Sequence, residues 1–319
     1  MRGLTAAMLL LIAGIAAPAM AQFKDPDPGG AKLGDSSVQR WRAGMIISAV
    51  GGACKGIIGY APIPMDWPEQ QVKVVAEDIS PHVRASYQVL EGGVNVMTVR
   101  VPSLPAGEEA KSIITMEIRR SVIKPPEDTS KFVAADPKDL DRKIRPFLAS
   151  SPMIESQNAK IRALAKQIGT DKDNAWEHVR AIYDWVRAKV KYQNGKLKGA
   201  LAALNDGTGD CEEMTSLFIA ICRAADIPAR TVWVPGHCYP EFYLLDEKGE
   251  GHWFPCQAAG TEAFGGIPEQ KPILQKGDNF RPPYNRREHQ RYMSEYLTGT
   301  PTPGGGKPRV KFVREMVSP

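Results

Sequence analysis

The chain has 319 residues, of which 43% are hydrophobic and 24% are charged, and it contains 29 glycines, 26 prolines and five cysteines. This composition excludes the collagen-like, disordered and disulfide-stapled classes, and the length favours two domains. The formal charge of +5 is mild and lacks the clustered positive stripe that binds phosphate backbones, so we expect no nucleic-acid partner.

The first 21 residues have the pattern of a secretory signal peptide. Arg2 supplies a positive start, residues 6–17 are apolar, and residues 19–21 (Ala-Met-Ala) form a small-x-small cleavage site. An apolar run of roughly 12 residues is too short to cross a bilayer, and no later stretch approaches the roughly 18 apolar residues of a membrane span. The pattern predicts cleavage before Gln22 and a secreted or periplasmic protein without a membrane anchor.

Two segments of different character follow the signal peptide. Residues 22–37 are polar and rich in proline and glycine, which indicates a linker. Residues 38–125 contain about six short runs in which β-branched and aromatic residues alternate with polar ones, separated by glycine turns and without a helical pattern. Such a series is typical of a small antiparallel β-sandwich, which would serve for packing or for presenting a substrate.

Residues 140–298 are predicted to form a second domain that begins with helices. Apolar residues recur at helical spacing from Ile161 to Ile168 and again from Trp176 to Val190, which predicts two amphipathic helices with ordinary core faces. The remaining residues, 299–319, are predicted to be a linker rich in proline and glycine followed by a C-terminal strand.

Cys211 is predicted to lie at the start of a helix. Asp210 is a good N-cap and Glu213 follows three residues later, so the two form a capping box, and the helix should end before Pro228. The N–H groups of the first turn favour a thiolate and can receive an oxyanion, whereas Glu212 and Glu213 oppose a thiolate by like charge. A strongly acidic thiol would therefore need a histidine nearby. A buried structural cysteine would fit the same position.

His237 lies in a predicted three-stranded antiparallel segment. A hairpin that closes around Glu247 would pair His237 with Gln257 and Cys238 with Cys256, with each pair on its own face of the sheet. The oxygen of Gln257 could then accept a hydrogen bond from His237 Nδ1–H and fix the tautomer of a general base.

Three separated motifs together resemble the transglutaminase-like cysteine enzymes. They are Gly209-Asp210-Cys211-Glu212-Glu213, then His237-Cys238-Tyr239-Pro240-Glu241, then Trp253-Phe254-Pro255-Cys256-Gln257. The match covers roughly residues 156–260. It implies an α+β fold with a papain-like or transglutaminase-like core domain, preceded here by the small antiparallel β-sandwich. It also implies a nucleophile at Cys211, a general base at His237 and an orienting residue at the end of the following strand.

The orienting position departs from the family pattern. The family usually has aspartate where this chain has Gln257. A neutral amide can hold the imidazole tautomer, but it cannot stabilise imidazolium as a carboxylate would. Asp246 and Asp278 are the other carboxylate candidates, although Asp246 lies at the predicted hairpin tip, far from His237.

The remaining cysteines leave two questions open. Cys238 and Cys256 could form a disulfide or remain two buried thiols, while Cys54 and Cys222 are most simply buried. A zinc site built from His237, Cys238, His252 and Cys256 is disfavoured because its spacing lacks paired knuckles and adjacent strand residues point to opposite faces. We therefore expect neither a metal nor a cofactor.

The expected function is that of an exported thiol acyl-transfer enzyme acting on amide bonds of peptides or proteins. It would be a hydrolase or protease if water accepts the acyl group, and a transglutaminase if an amine does. The alternative is a non-catalytic protein-binding or assembly module with a decayed site. Gln257 and the two glutamates beside Cys211 favour that alternative.

Overall fold

The computed structural model describes residues 30–169 and 174–317. The predicted signal peptide, residues 1–21, lies outside the described residues. The helices of the described part are α1 (Ala159–Gly169), α2 (Ala175–Lys189), α3 (Ala200–Asp206) and α4 (Cys211–Ala224), with a 3₁₀ helix at Arg145–Leu148. Its strands are β1 (Lys32–Ser48), β2 (Cys54–Ile63), β3 (Gln70–Ile79), β4 (Arg84–Leu90), β5 (Val94–Leu104), β6 (Glu109–Lys124), β7 (Lys191–Tyr192), β8 (Thr208–Gly209), β9 (Ala229–Val234), β10 (His237–Leu245), β11 (Gly251–Pro255), β12 (Gln275–Lys276), β13 (Tyr296–Pro301) and β14 (Arg309–Val317).

Two four-stranded antiparallel sheets are formed by β1–β6 of the N-terminal half together with β13 and β14. Their strand orders are β14-β1-β6-β3 and β13-β2-β5-β4. Inward-facing residues of both sheets, such as Met45 and Ile114 from one and Val99 from the other, share one apolar core. Alternation of apolar and polar residues along these strands directs one side chain in two into that core.

The chain termini extend these two sheets beyond the predicted boundaries. β1 begins at Lys32, inside the segment 22–37 that was predicted to be a linker, and pairs there with Lys124 of β6. β13 pairs with β2 and crosses the predicted boundary at residue 298, and β14 pairs with β1. Local composition did not indicate these pairings because the partner strands are far apart in the sequence.

The second half is an α+β unit built around α4. The sheet has the order β11-β10-β9-β12, and α4 packs on β9 and β10 while α1, α2 and α3 pack against α4. Leu217, Phe218 and Ile221 of α4 join Phe242 and Phe254 of the sheet in one core. This packing fixes the start of α4 against the start of β10.

A buried cluster of charges joins the two halves. Lys276 Nζ lies 2.5 Å from a Glu241 oxygen and 2.6 Å from a Glu69 oxygen, and Arg230 holds the other oxygen of Glu241 at 2.8 Å. Glu69, Glu241 and Lys276 are only 6%, 1% and 2% exposed. Burial opposes ionisation of Glu241, but Lys276 and Arg230 hold its pKa well below the usual range. Because Glu69 precedes β3, the cluster ties the N-terminal sheets to the α+β unit.

Lys276→Met should destabilise the protein strongly. The substitution keeps the volume of the side chain but leaves Glu69 without its cation, and removing one partner of a buried ion pair costs about 3–5 kcal/mol. Lys111→Met is the matched control, because its pair with Asp78 is exposed and such pairs contribute about 0–1 kcal/mol. Urea unfolding of both variants measures the difference, and equal losses would show that the cluster does not stabilise the fold.

Candidate active site

The first turn of α4 is organised by the predicted capping box. Asp210 Oδ1 accepts a hydrogen bond from Glu212 N at 2.8 Å, and a Glu213 oxygen accepts one from Asp210 N at 3.2 Å. Gly209 is required just before it, because an added Cβ would come within 2.5 Å of Glu213 Cβ. The box fixes Cys211 as the first helical residue, with its side chain partly accessible to solvent.

The negative charges around Cys211 are compensated by other groups. Burial opposes the ionisation of Glu213, but the backbone N–H groups of Lys198 and Asp210 lower its pKa. Burial, together with the neighbouring Glu213, raises the pKa of Asp210 to about 6. Glu212 forms an ion pair with Arg291. The repulsion between these carboxylates and a Cys211 thiolate is therefore weaker than the sequence indicated.

His237 begins β10, directly after a tight turn at Gly236 whose φ of 69° suits glycine. Its ring Nε2 lies 2.8 Å from Gln257 Oε1, and its side chain interacts with that of Cys211. The amide oxygen can only accept, so Nε2 donates and Nδ1 remains for the thiol proton. The expectation that Nδ1 would face Gln257 is wrong, because the other edge of the ring faces it.

The hairpin that carries these residues has a different register from the predicted one. Glu241 pairs with Pro255 and Leu245 with Gly251, so the strands are shifted by two residues. Asp246 causes the shift, because its side chain accepts the N–H groups of Lys248 and Glu250 and makes a longer turn. A shift of two residues preserves the face of every side chain.

The long Gln257 side chain reaches His237 from beyond the end of β11, with its backbone held on both sides. Gln257 N donates to Ala263 O at 2.8 Å, and Gln257 O accepts from Arg187 at 3.0 Å. Arg187 also donates to Gly260 O at 3.0 Å. Sequence reasoning missed Arg187, because it is one of several basic residues on the exposed part of α2 and only the fold brings it to this loop.

The two alternative carboxylates lie elsewhere. Asp246 is 3.0 Å from His252 at the hairpin tip. Asp278 forms a buried ion pair with Arg223 near the C-terminal end of α4, at 2.8 Å. Neither is hydrogen-bonded to His237, whereas Gln257 is.

The sulfur of Cys211 is in an environment that favours the thiolate. The neighbouring Cys238 side chain favours the charged form of the sulfur, burial opposes it, and the His237 side chain favours it further. Together these effects lower the pKa of Cys211 to about 4. Burial alone would lower the pKa of His237, but the hydrogen bonds to Cys211 and Gln257 outweigh it and raise that pKa. Both shifts favour a thiolate–imidazolium pair over the neutral thiol and imidazole.

All five cysteines, Cys54, Cys211, Cys222, Cys238 and Cys256, are free thiols. Cys238 lies beside Cys211, whereas Cys256 is buried in the helical core, and this separation removes the disulfide considered from sequence. Burial raises the pKa of Cys222 and Cys256. In residues 30–169 and 174–317, no group of three or more histidine, cysteine or acidic side chains could hold a metal ion.

A cavity of about 600 Å³ opens beside His237. It is lined by Arg187, Val190, Lys191, Tyr192, Met214, His237, Ala259 and Gly260. β7 pairs in parallel with β8, which places Tyr192 next to Gly209 and so beside the start of α4. The site therefore combines a partly exposed thiol of lowered pKa, an imidazole hydrogen-bonded to an amide oxygen, and an adjacent cavity.

The family comparison agrees with this geometry. Residues 162–258 match the model described as the transglutaminase-like superfamily, and the match includes Cys211, His237 and Gln257. This part of the chain is a transglutaminase-like domain, as the sequence motifs predicted. No curated protein matches the chain. Within the described residues, no helix is long and apolar enough to cross a membrane.

One solved structure with a TM-score above 0.5 has the fold of this chain. A candidate cysteine protease from Cytophaga hutchinsonii is similar at a TM-score of 0.54 and 16% identity, over 91% of this chain and 93% of that one. The periplasmic domain of TgpA from Pseudomonas aeruginosa has a TM-score of 0.33 at 14% identity, over 72% of this chain and 91% of that one. A candidate protease from Parabacteroides distasonis has a TM-score of 0.29 at 14% identity, over 61% and 43%. The first likeness shows a shared fold, and the other two support no conclusion.

Cys211 should react selectively with a thiol electrophile such as iodoacetamide. Because its pKa is lowered, the thiolate is present above about pH 4 and is lost as the pH falls below that value. His237→Ala removes one hydrogen bond and the positive charge, so labelling at pH 6 should fall by about tenfold or more. Peptide mass spectrometry measures the labelling rate at Cys211, with the buried Cys222 as internal control. Equal rates in the wild type and His237→Ala would contradict the pairing.

Proposed function

We propose that the protein is a thiol acyl-transfer enzyme that acts on amide bonds of peptides or proteins, with Cys211 as nucleophile, His237 as general base and acid, and Gln257 as the orienting group. The observation that carries the proposal is the position of Cys211 in the first turn of α4, where its side chain interacts with the His237 imidazole, whose Nε2 donates to Gln257. This arrangement places a nucleophile next to its base, and the base next to the group that orients it.

Each step of the proposed reaction balances. Cys211 Sγ attacks the amide carbonyl, the carbon–nitrogen bond breaks, and His237 gives its proton to the leaving amine. Water or a second amine then gives a proton to His237 and attacks the thioester, and the carbon–sulfur bond breaks to restore the thiolate. Gln257 keeps the ring in one tautomer through both steps.

We propose the Cys211 backbone N–H as a donor to the developing oxyanion. The N–H groups of Glu212 and Glu213 are bonded to the Asp210 side chain, so these two donors are occupied. From the sequence, any N–H group of the first turn could have donated to the oxyanion. The structure leaves the N–H groups of Glu212 and Glu213 occupied. The cavity beside His237 is where we place the rest of the substrate.

We also propose that the protein is exported, on the basis of the signal-peptide pattern in residues 1–21. Recovery of a mature protein that begins at Gln22 from outside the cytoplasm would test this export.

We also propose that the two N-terminal sheets form the β-sandwich domain that precedes the papain-like core. Hydrolysis and transamidation share the acylation step. They are distinguished by an assay in which water and a fluorescent primary amine compete for the acyl group on Cys211.

Substitutions at Gln257 test the orienting role. Gln257→Ala should lower kcat/KM by about 10–100-fold, because it removes one hydrogen bond to a charged imidazolium. Gln257→Glu should retain activity and move the alkaline limb of the pH profile upward, since a carboxylate stabilises imidazolium. The assay is release of a leaving amine from a panel of acyl-peptide amides.

Asp246→Asn is the matched control for these variants and should leave the profile unchanged, because Asp246 binds His252 rather than His237. A decayed, non-catalytic module would give no turnover that depends on Cys211 in any of these proteins. Activity that survives Cys211→Ala unchanged would contradict the proposal.

A further inference from the structure

The loop that begins at Gln257 is closed by contacts between its own two ends. Cys256 forms an isolated β-bridge with Phe264, and Gln257 N donates to Ala263 O at 2.8 Å. These two contacts enclose residues 258–262. The backbone of this loop therefore sets the point from which the Gln257 side chain extends to the imidazole.

Two side chains of α2 hold this loop. Arg187 donates from Nη1 to Gln257 O and from Nη2 to Gly260 O, each at 3.0 Å. One turn earlier on the helix, the hydroxyl of Tyr183 accepts a hydrogen bond from Ala263 N at 3.1 Å. α2 therefore contacts the loop at its start, in its middle and at its end.

The guanidinium of Arg187 is well suited to this contact. Its Cζ lies 5.4 Å from the centre of the Tyr183 ring, which is buried. A guanidinium presents its N–H groups in a rigid planar fork, so it can bind two carbonyl oxygens at once in a fixed geometry, which an ammonium group cannot. Within the described part of the chain, both hydrogen bonds of the Arg187 side chain go to this loop.

We propose that Arg187 is a positioning residue that acts on the imidazole of His237 through Gln257. The amide oxygen of Gln257 accepts from His237 Nε2 at 2.8 Å, and N–H···O bonds are confined to about 2.7–3.2 Å. A small displacement of the loop would therefore break this bond. The inference rests on the proposed function, in which His237 is the base, and deepens it.

The chemistry of the orienting residue makes this anchor important. Glutamine has one more rotatable bond than the aspartate that is usual in the family, so its amide is harder to fix in one place. A neutral amide also lacks the charge that would attract a carboxylate to an imidazolium. The orienting effect of Gln257 therefore depends on geometry, which Arg187 secures at the backbone.

Exchange of the His237 Nε2–H proton with water tests the proposal in the full chain without any substrate. Heteronuclear NMR follows this proton, and its signal is assigned by its absence in His237→Gln. Arg187→Met removes both hydrogen bonds to the loop, so the proton should exchange about tenfold faster, as expected when one hydrogen bond is lost. Gln257→Ala removes the acceptor itself and should give exchange at least as fast.

A double variant shows whether Arg187 acts through Gln257. Exchange in Arg187→Met combined with Gln257→Ala should be no faster than in Gln257→Ala alone, because two residues that act through one contact are not additive. Arg187→Lys keeps the charge without the fork and should lie between the wild type and Arg187→Met. Effects of Arg187→Met and Gln257→Ala that multiply in the double variant would overturn the proposal.

Arg180→Met is the matched control. Arg180 lies on the same helix, its Cζ is 5.5 Å from the centre of the Tyr183 ring, and it contacts the same loop through an ion pair with Glu262 at 2.9 Å. It does not bind the backbone of Gln257. The exchange rate in Arg180→Met should therefore equal that of the wild type.

An unchanged exchange rate in Arg187→Met, together with a lower urea midpoint, would indicate a purely structural role and overturn the proposal. If Arg187→Met does not fold, Arg187→Lys takes its place, and exchange at the wild-type rate would again overturn it. Turnover is a less specific readout, because Ala259 and Gly260 of the loop also line the cavity. Failure of the proposed acyl transfer would appear instead as absent turnover with the expected exchange rates intact.

Discussion

The site depends on one constraint, which is that α4 is fixed at both ends against the sheet. At its start the capping box between Asp210 and Glu213 sets the first turn, and the Cys238 thiol contacts the carbonyl of Cys211. Near its other end the guanidinium of Arg223 binds Asp278 in an ion pair with both side chains 1% exposed. A helix held in this way cannot slide along the sheet, so Cys211 stays within reach of His237.

The same arrangement explains how a thiolate can exist among several carboxylates. The Glu213 carboxylate accepts hydrogen bonds from backbone N–H groups. Glu212 forms an ion pair with Arg291, and the pKa of Asp210 is raised. Arg291 lies on the segment between β12 and β13, whose Phe280 and Met293 pack with residues of β5. The N-terminal sheets therefore contribute to the electrostatics of the site through the segment they anchor.

Features that depend on residues close together in the chain could be predicted from the sequence, whereas features that depend on distant segments could not. The start of α4, its capping box and the strand of His237 depend on neighbours within a few residues, and these were recognised. The hairpin register was wrong by two because a side chain of the turn, Asp246, changed the loop length. Arg187 and Lys276 were missed, because their roles exist only once distant segments meet. The pairing of β14 with β1 was missed for the same reason.

We propose that Cys211 carries a covalent acyl group during turnover, with His237 as its proton partner. The most direct measurement is intact-protein mass spectrometry of rapidly quenched mixtures with an activated acyl ester. We expect one acyl adduct, located on Cys211, that forms rapidly in the wild type, forms slowly in His237→Ala and is absent in Cys211→Ala. An adduct that forms equally fast in the wild type and His237→Ala, or that lies on another residue, would contradict it.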